Sequence, residues 1–217
     1  MKKILTVLSI LAILIIVVFL YATRGASAPT ELVETPTEAT STPNTYRINP
    51  EMSTVSFSIG EDLRGSRFTA IGATNQVSTD VTVSPDGSVS VGTVSVNART
   101  FKTDDSRRDG AIARLILKSE NPENEYITFT PTPFTSENTP KLVDGTEITF
   151  PISGSLTISG VTKPVTLTAT LNKNANILSG TVEGEIKRSD FGITIPSLSF
   201  IANVDDVVVL KAGVTLQ

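Results

Sequence analysis

The chain has 217 residues, 39% of them hydrophobic, 6% aromatic and 18% charged, with a net charge of −4. It contains no Cys, His or Trp, which excludes disulfides, Cys/His zinc sites, thiolate nucleophiles, a lipobox-type anchor and every His-based catalytic triad. No basic cluster is longer than Arg107-Arg108 or Lys187-Arg188, so a counterion-releasing binder of nucleic acid is excluded as well.

After the basic start Met1-Lys2-Lys3, Ile4 to Ala22 is a run of 19 residues broken only by Thr6 and Ser9. At about 1.5 Å per residue it reaches about 28 Å, close to the roughly 30 Å hydrocarbon core of a bilayer. Residues 1–28 are therefore expected to hold an N-terminal transmembrane helix that stays attached as an anchor. The competing reading is a cleaved secretory signal. Ala26-Ser27-Ala28 has the small-residue pattern of a cleavage site, but Pro29 behind it suits the cut poorly, and a signal's apolar stretch is only about 7–15 residues long. Lys2 and Lys3 against the lone Arg24 set the N-terminus inside. The rest of the chain is expected in the cell envelope, single-pass anchored on the extracytoplasmic side of the cytoplasmic membrane, or periplasmic or secreted if the signal is cut. Residues 29–45 read as a linker: six Thr, three Pro and three Glu, with only Leu32 and Val33 as large apolar residues, cannot bury enough surface to offset ordering entropy.

Residues 46–217 form one β-rich domain. Val55, Phe57 and Ile59 alternate with Ser and Thr, as do Val81 and Val83, Val89 and Val91, Val94 and Val96, Ile127 and Phe129, and Ile148, Phe150 and Ile152. Leu156 and Ile158, then Val165, Leu167, Ala169 and Leu171, then Val182 and Ile186, and finally Val207 to Leu210 continue the pattern. Period two with β-branched residues and turn residues between is the strand signal. One apolar face and one hydroxyl-rich face suit an antiparallel sheet with a wet side. About eight strands of this kind close into a barrel or stack as a sandwich, and a barrel of that size is filled by side chains or holds one small ligand.

One stretch breaks the period. Ile112, Leu115 and Ile116 stand at helical spacing, and Ser106 with Asp109 three places on has the form of a capping box. This predicts one short helix with its apolar stripe on the barrel mouth or wall, Lys118 near its end suiting the dipole.

Five patches occur in order along the domain: Tyr46-Arg47-Ile48-Asn49-Pro50 with Ser53-Thr54-Val55-Ser56-Phe57; Arg99-Thr100-Phe101-Lys102-Thr103-Asp104-Asp105 with Arg108-Asp109; Tyr126-Ile127-Thr128-Phe129; Gly154-Ser155-Leu156-Thr157-Ile158-Ser159-Gly160-Val161-Thr162-Lys163-Pro164-Val165; and Arg188-Ser189-Asp190-Phe191-Gly192-Ile193. Together they resemble the YceI-like family of bacterial envelope proteins, the lipid- or polyisoprenoid-binding domain. The resemblance implies an extended, antiparallel, eight-stranded, lipocalin-like barrel holding an isoprenoid or other long amphiphilic chain, with no cofactor. It also implies an apolar lining, for which the strand phase offers Val55, Phe57, Phe101, Leu115, Phe129, Phe150, Leu167 and Phe191; a dry core is the equal reading for the phenylalanines.

The polar candidates have duller readings beside them. Asp104, Asp105 and Asp109 are a carboxylate group, but Arg107 and Arg108 among them repel a cation, so capping and ion pairing are expected rather than a metal. Asp205-Asp206 reads as a turn or an edge charge. Arg188 with Asp190 reads as a strand-end ion pair, or as a bidentate anchor for a head group. Gly154, Gly160 and Gly192 read as turns, and Thr162-Lys163-Pro164 as a tight turn entering a strand.

The expected function is non-enzymatic: binding, sequestration or transport of an isoprenoid or similar lipid. The alternative is a solid-cored structural or protein-interaction module. A hydrolase or transferase built on Asp104, Asp105 and Arg108 is disfavoured by the missing nucleophile–base pairs. Expected partners are the lipid and the membrane, through the N-terminal segment; a homodimer stays open.

Overall fold

The computed structural model describes residues 42–63, 65–195 and 201–217. The expected membrane helix in 1–28 and most of the expected linker lie outside the described residues. Among the described residues no helix is long and apolar enough to cross a membrane.

Among the described residues the fold is all-β with one short α-helix. Its strands are β1 (Asn44–Arg47), β2 (Thr54–Leu63), β3 (Ser66–Thr74), β4 (Val77–Ser78), β5 (Asp80–Val83), β6 (Val89–Val91), β7 (Val94–Asn97), β8 (Tyr126–Pro131), β9 (Glu147–Ile158), β10 (Val161–Asn174), β11 (Ile177–Lys187), β12 (Ile201–Val204) and β13 (Val207–Leu216); the helix is α1 (Ser106–Ala111). Hydrogen-bonded neighbours run β2-β13-β11-β10-β9-β8-β7-β4, with β3 on the far side of β2. Because β3 runs into β4 through Asn75-Gln76, one bent stretch pairs with β2 at one end and β7 at the other. Ala73 and Lys102 exchange backbone bonds of 2.9 Å, and Asn97 donates to the Gln76 carbonyl at 2.9 Å, tightening that seam. The result is a nearly closed antiparallel barrel.

The strand count differs from the expected eight: among the described residues there are thirteen. The barrel wall uses β2, the β3–β4 stretch, β7, β8, β9, β10, β11 and β13. The surplus comes from a small separate sheet, β1-β5-β6, and from β12, which extends the β2 edge beyond β13. Asn44 and Thr45, which composition places in the linker, pair with Val83 and Thr82 as part of β1.

The small sheet closes one end of the barrel. Tyr46, Val81, Val83 and Val89 are all at most 6% exposed there and join Leu142, Leu178 and Leu216 in the core. On the outer surface, paired hydroxyls bridge β9 and β10: Thr149 with Thr170 at 2.9 Å, Ser153 with Thr166 at 2.8 Å and Thr157 with Thr162 at 2.8 Å. These are cross-strand contacts that fix register on a wet face.

Two turn assignments change. The β9–β10 hairpin turns at Ser159-Gly160, with φ of 48° and 78°, so both central residues are left-handed as a two-residue hairpin demands. Thr162-Lys163-Pro164 is already inside β10, opposite Thr157, Leu156 and Ser155. Proline is tolerated because this stretch of β10 has a partner strand on one side only; β11 pairs from Thr168 onward. Gly154 is not a turn but an inward position of β9, where a Cβ would stand 2.5 Å from the Thr130 carbonyl oxygen and 2.7 Å from the Phe129 ring.

Candidate ligand cavity

The inward side chains of the wall do not meet in the middle. They enclose a cavity of about 850 Å³, within the range of about 300–1,000 Å³ typical of small-molecule sites. Along β13 its lining runs from Val208 through Leu210, Ala212 and Val214 to Leu216. Those eight residue steps, at about 3.3 Å each and a strand tilt of about 40°, span roughly 20 Å of barrel axis. The interior is therefore a tube, and the solid-cored alternative, which needs it filled, does not describe this barrel.

One end of the tube is shut. Ile48, Val81, Val91 and Leu216 line it there, and Leu216 is 1% exposed. Among the described residues the other end is open: Phe68 of β3 lines the cavity yet is 50% exposed. Around that opening stand Glu61, Asp105, Arg107, Arg108 and Arg188.

The helix at this end departs from its expected phase. Its N-cap is Asp105, not Ser106: the Asp105 carboxylate accepts from the Arg107 backbone N–H at 2.8 Å. Asp109 does not close a capping box; it accepts from the Thr103 N–H at 2.7 Å and the Thr103 hydroxyl at 2.8 Å, with Lys102 3.6 Å away. After Ala111 the backbone widens into a π-helical turn over Ile112–Ile116, in which the Leu117 N–H reaches the Ile112 carbonyl at 2.8 Å. That wider turn rotates the apolar stripe, so Ile112, Ile116 and Leu117 face the cavity and Leu115 does not.

Two aspartates near the mouth, Asp105 and Asp109, are shifted toward their ionised form. The Arg107 side chain, helped by the Arg107 backbone N–H, lowers the pKa of Asp105. Burial pushes Asp109 upward, but the two Thr103 bonds and Lys102 outweigh it and leave it below the ordinary value. Asp104, Asp105 and Asp109 do not converge on a common point: Asp104 is 84% exposed and pairs with Arg108, while Asp109 is turned to Thr103.

A family comparison bears on what this tube is. The YceI-like domain matches residues 46–216. The chain belongs to the YceI-like family. Its fold is similar to that of a polyisoprenoid binding domain from Saccharophagus degradans implicated in plant cell wall breakdown, with a TM-score of 0.60 and 14% identity over 79% of this chain and 97% of that one. It is similar also to BcnA of Burkholderia cenocepacia, with a TM-score of 0.57 and 20% identity over 77% of this chain and 98% of that one. At these identities the likeness is one of fold. The comparison with curated proteins gives no match.

Of the lining residues expected for a YceI-like barrel, Val55, Phe57, Phe101, Phe129, Phe150 and Leu167 do face the cavity. Phe57 and Phe101 pack edge to face with ring centroids 5.3 Å apart. Two others do not. Leu115 is 54% exposed, turned outward by the π turn. Phe191 is 2% exposed and sits in the solid core beneath a 3₁₀ turn that Gly192 ends at φ 66°. Arg188 makes no pair with Asp190; it donates to the carbonyls of Asp205 at 3.0 Å, Ile193 at 2.9 Å and Val204 at 3.3 Å. Asp205 pairs with Arg67, and Asp206 accepts from the Ser189 N–H and hydroxyl at 3.0 and 2.7 Å.

Sequence reasoning missed Glu61 and Phe68. Glu61 continues the inward phase of Val55, Phe57 and Ile59, so a carboxylate pointing into the barrel was visible in the alternation. Phe68 belongs to β3, whose other inward positions are Ala70, Gly72 and Thr74 and give no apolar pattern.

Proposed function

We propose that this YceI-like domain holds the hydrocarbon chain of an isoprenoid-type lipid in its barrel, as a binding or carrier protein that performs no chemistry on the guest. The observation that carries this reading is the tube of about 850 Å³, lined mainly by apolar side chains and shut at one end. Hydrocarbon needs such walls and few polar partners. Burying roughly 400 Å² of guest at about 25 cal/mol/Å² contributes about 10 kcal/mol gross, of which about 4 kcal/mol or more is lost to restricted motion. About 6 kcal/mol remains at most, so binding in the range of tens of micromolar or weaker follows without a charged anchor.

The basic start and the long apolar run of residues 4–22 support a site of action on the outer side of the cytoplasmic membrane. The test of the lipid reading is extraction of the purified full chain with organic solvent, followed by mass spectrometry. A long-chain isoprenoid recovered in near-stoichiometric amount is expected. Failure to recover any lipid, together with failure to take up a hydrophobic dye, refutes the reading. Protease accessibility in intact and permeabilised cells tests the location.

A further inference from the structure

Resting on the lipid-holding reading above, we infer that Glu61 and Arg108 form a head-group site at the open end of the tube, built for an uncharged hydroxyl: the alcohol form of an isoprenoid, in preference to its phosphorylated form.

Glu61 puts a carboxylate into an otherwise apolar inward row of β2. Its inward neighbours along β2 are Val55, Phe57 and Ile59, and its own side chain is 6% exposed. A carboxylate taken from water into such a wall loses hydration that one partner does not fully restore. The partner comes from across the mouth: Arg108 of α1, 23% exposed, donates from Nη2 to Glu61 Oε1 at 3.0 Å. Among the described residues no group donates to Glu61 Oε2. Arg108 makes its other bond through Nη1 to Asp104, which leaves further N–H groups of its five unengaged. A free carboxylate oxygen therefore lies next to free guanidinium donors at the rim of an apolar tube.

That combination matches a hydroxyl, which donates one hydrogen bond and accepts two. It does not match a phosphate or diphosphate. Among the described residues around this opening, each other guanidinium is already engaged: Arg67 with Asp62 and Asp205, Arg107 with Asp105, and Arg188 with three carbonyls. A phosphorylated head would have to displace one of these partners while facing Glu61, Asp104 and Asp105 as like charges. An entirely apolar guest would leave Glu61 Oε2 against hydrocarbon without a donor, a loss that a hydroxyl avoids.

The test titrates the full chain with three probes that share one chain and differ at the head: farnesene, farnesol and farnesyl diphosphate. Farnesol is expected to bind about tenfold or more tighter than either of the others, the effect of one hydrogen bond to a charged group. The double variant Glu61→Gln/Arg108→Gln, which removes both charges while leaving uncharged polar side chains, is expected to narrow both gaps. Diphosphate binding as tight as farnesol, or farnesene binding as tight as farnesol, overturns the head-group site and leaves the lipid reading standing. A variant that folds and keeps both gaps overturns the assignment to these two residues. Binding of none of the three overturns both. The comparison on the unaltered chain decides even where the variant does not fold.

Discussion

Replacing Ala169 by Phe asks whether a guest chain threads the middle of the tube. Ala169 lies at an inward position of β10, opposite Phe150 of β9 and Val182 of β11, and it lines the cavity. A ring at this point projects into the hollow and displaces roughly four methylenes of any chain lying there, at about 0.8 kcal/mol each. The expected loss is about 3 kcal/mol, or on the order of a hundredfold in affinity. In a packed interior the same ring would instead strain its neighbours, at about 1–3 kcal/mol of fold stability. The two cases separate cleanly in paired measurements. Titration with farnesol or a hydrophobic dye reads the affinity, and urea unfolding reads the fold. Weakened binding is expected, with an unfolding midpoint close to that of the unaltered chain. An unchanged affinity in a folded variant refutes it, because the chain would then lie elsewhere.

Three further outcomes follow from named contacts. Gly72→Val brings a Cβ that would stand 2.4 Å from the Phe57 ring, so the ring must move; a loss of about 2 kcal/mol is expected in urea unfolding. Arg188→Ala removes the donor to three carbonyls that tie the turn after β11 to the segment before β13, and a loss of about 3 kcal/mol is expected, only partly recovered by Arg188→Lys, whose ammonium lacks the planar fork. Acid should unfold the domain through its aspartates. Asp105 (held by Arg107), Asp109 (through Thr103 and Lys102, against burial), Asp144 (by Lys173) and Asp206 (by Ser189) all titrate below the ordinary 3.8 in the fold. Their stabilisation is present above that value and is lost as pH falls through the lowered ones, so the melting temperature should stay level from neutral pH to near 3.8 and drop below it. A decline that begins at about pH 6 would contradict this, since no histidine is present to cause it.

Much of the barrel was legible because its inward positions are large and apolar. β2, β8, β9 and β10 announce themselves in this way, and each carries expected lining residues that face the cavity. β3 was illegible for the opposite reason. It must pass close to the Phe57 ring, so its inward residues shrink to Ala70, Gly72 and Thr74, and the alternation fades where the wall is tightest. Gly154 misled in the same manner: read as punctuation, it is the space into which the Phe129 ring fits. Leu115 misled through backbone geometry, since a spacing of 3.6 residues does not hold across a π turn. The small sheet that shuts the barrel rests on pairing between β1 and β5, more than thirty residues apart, which no local pattern encodes. At the mouth, Arg108 was visible as a charge, but its role came from Glu61, brought to it from a distant strand.

A vessel stopped at its base has one doorway for both arrival and departure. Under the proposed lipid-holding role the occupant would back in, greasy tail leading, with its functional tip beside Phe68. On that reading a recipient would dock at that rim and meet the tip first, so delivery would reverse the order of loading and the cargo could be inspected before any of the tail is released.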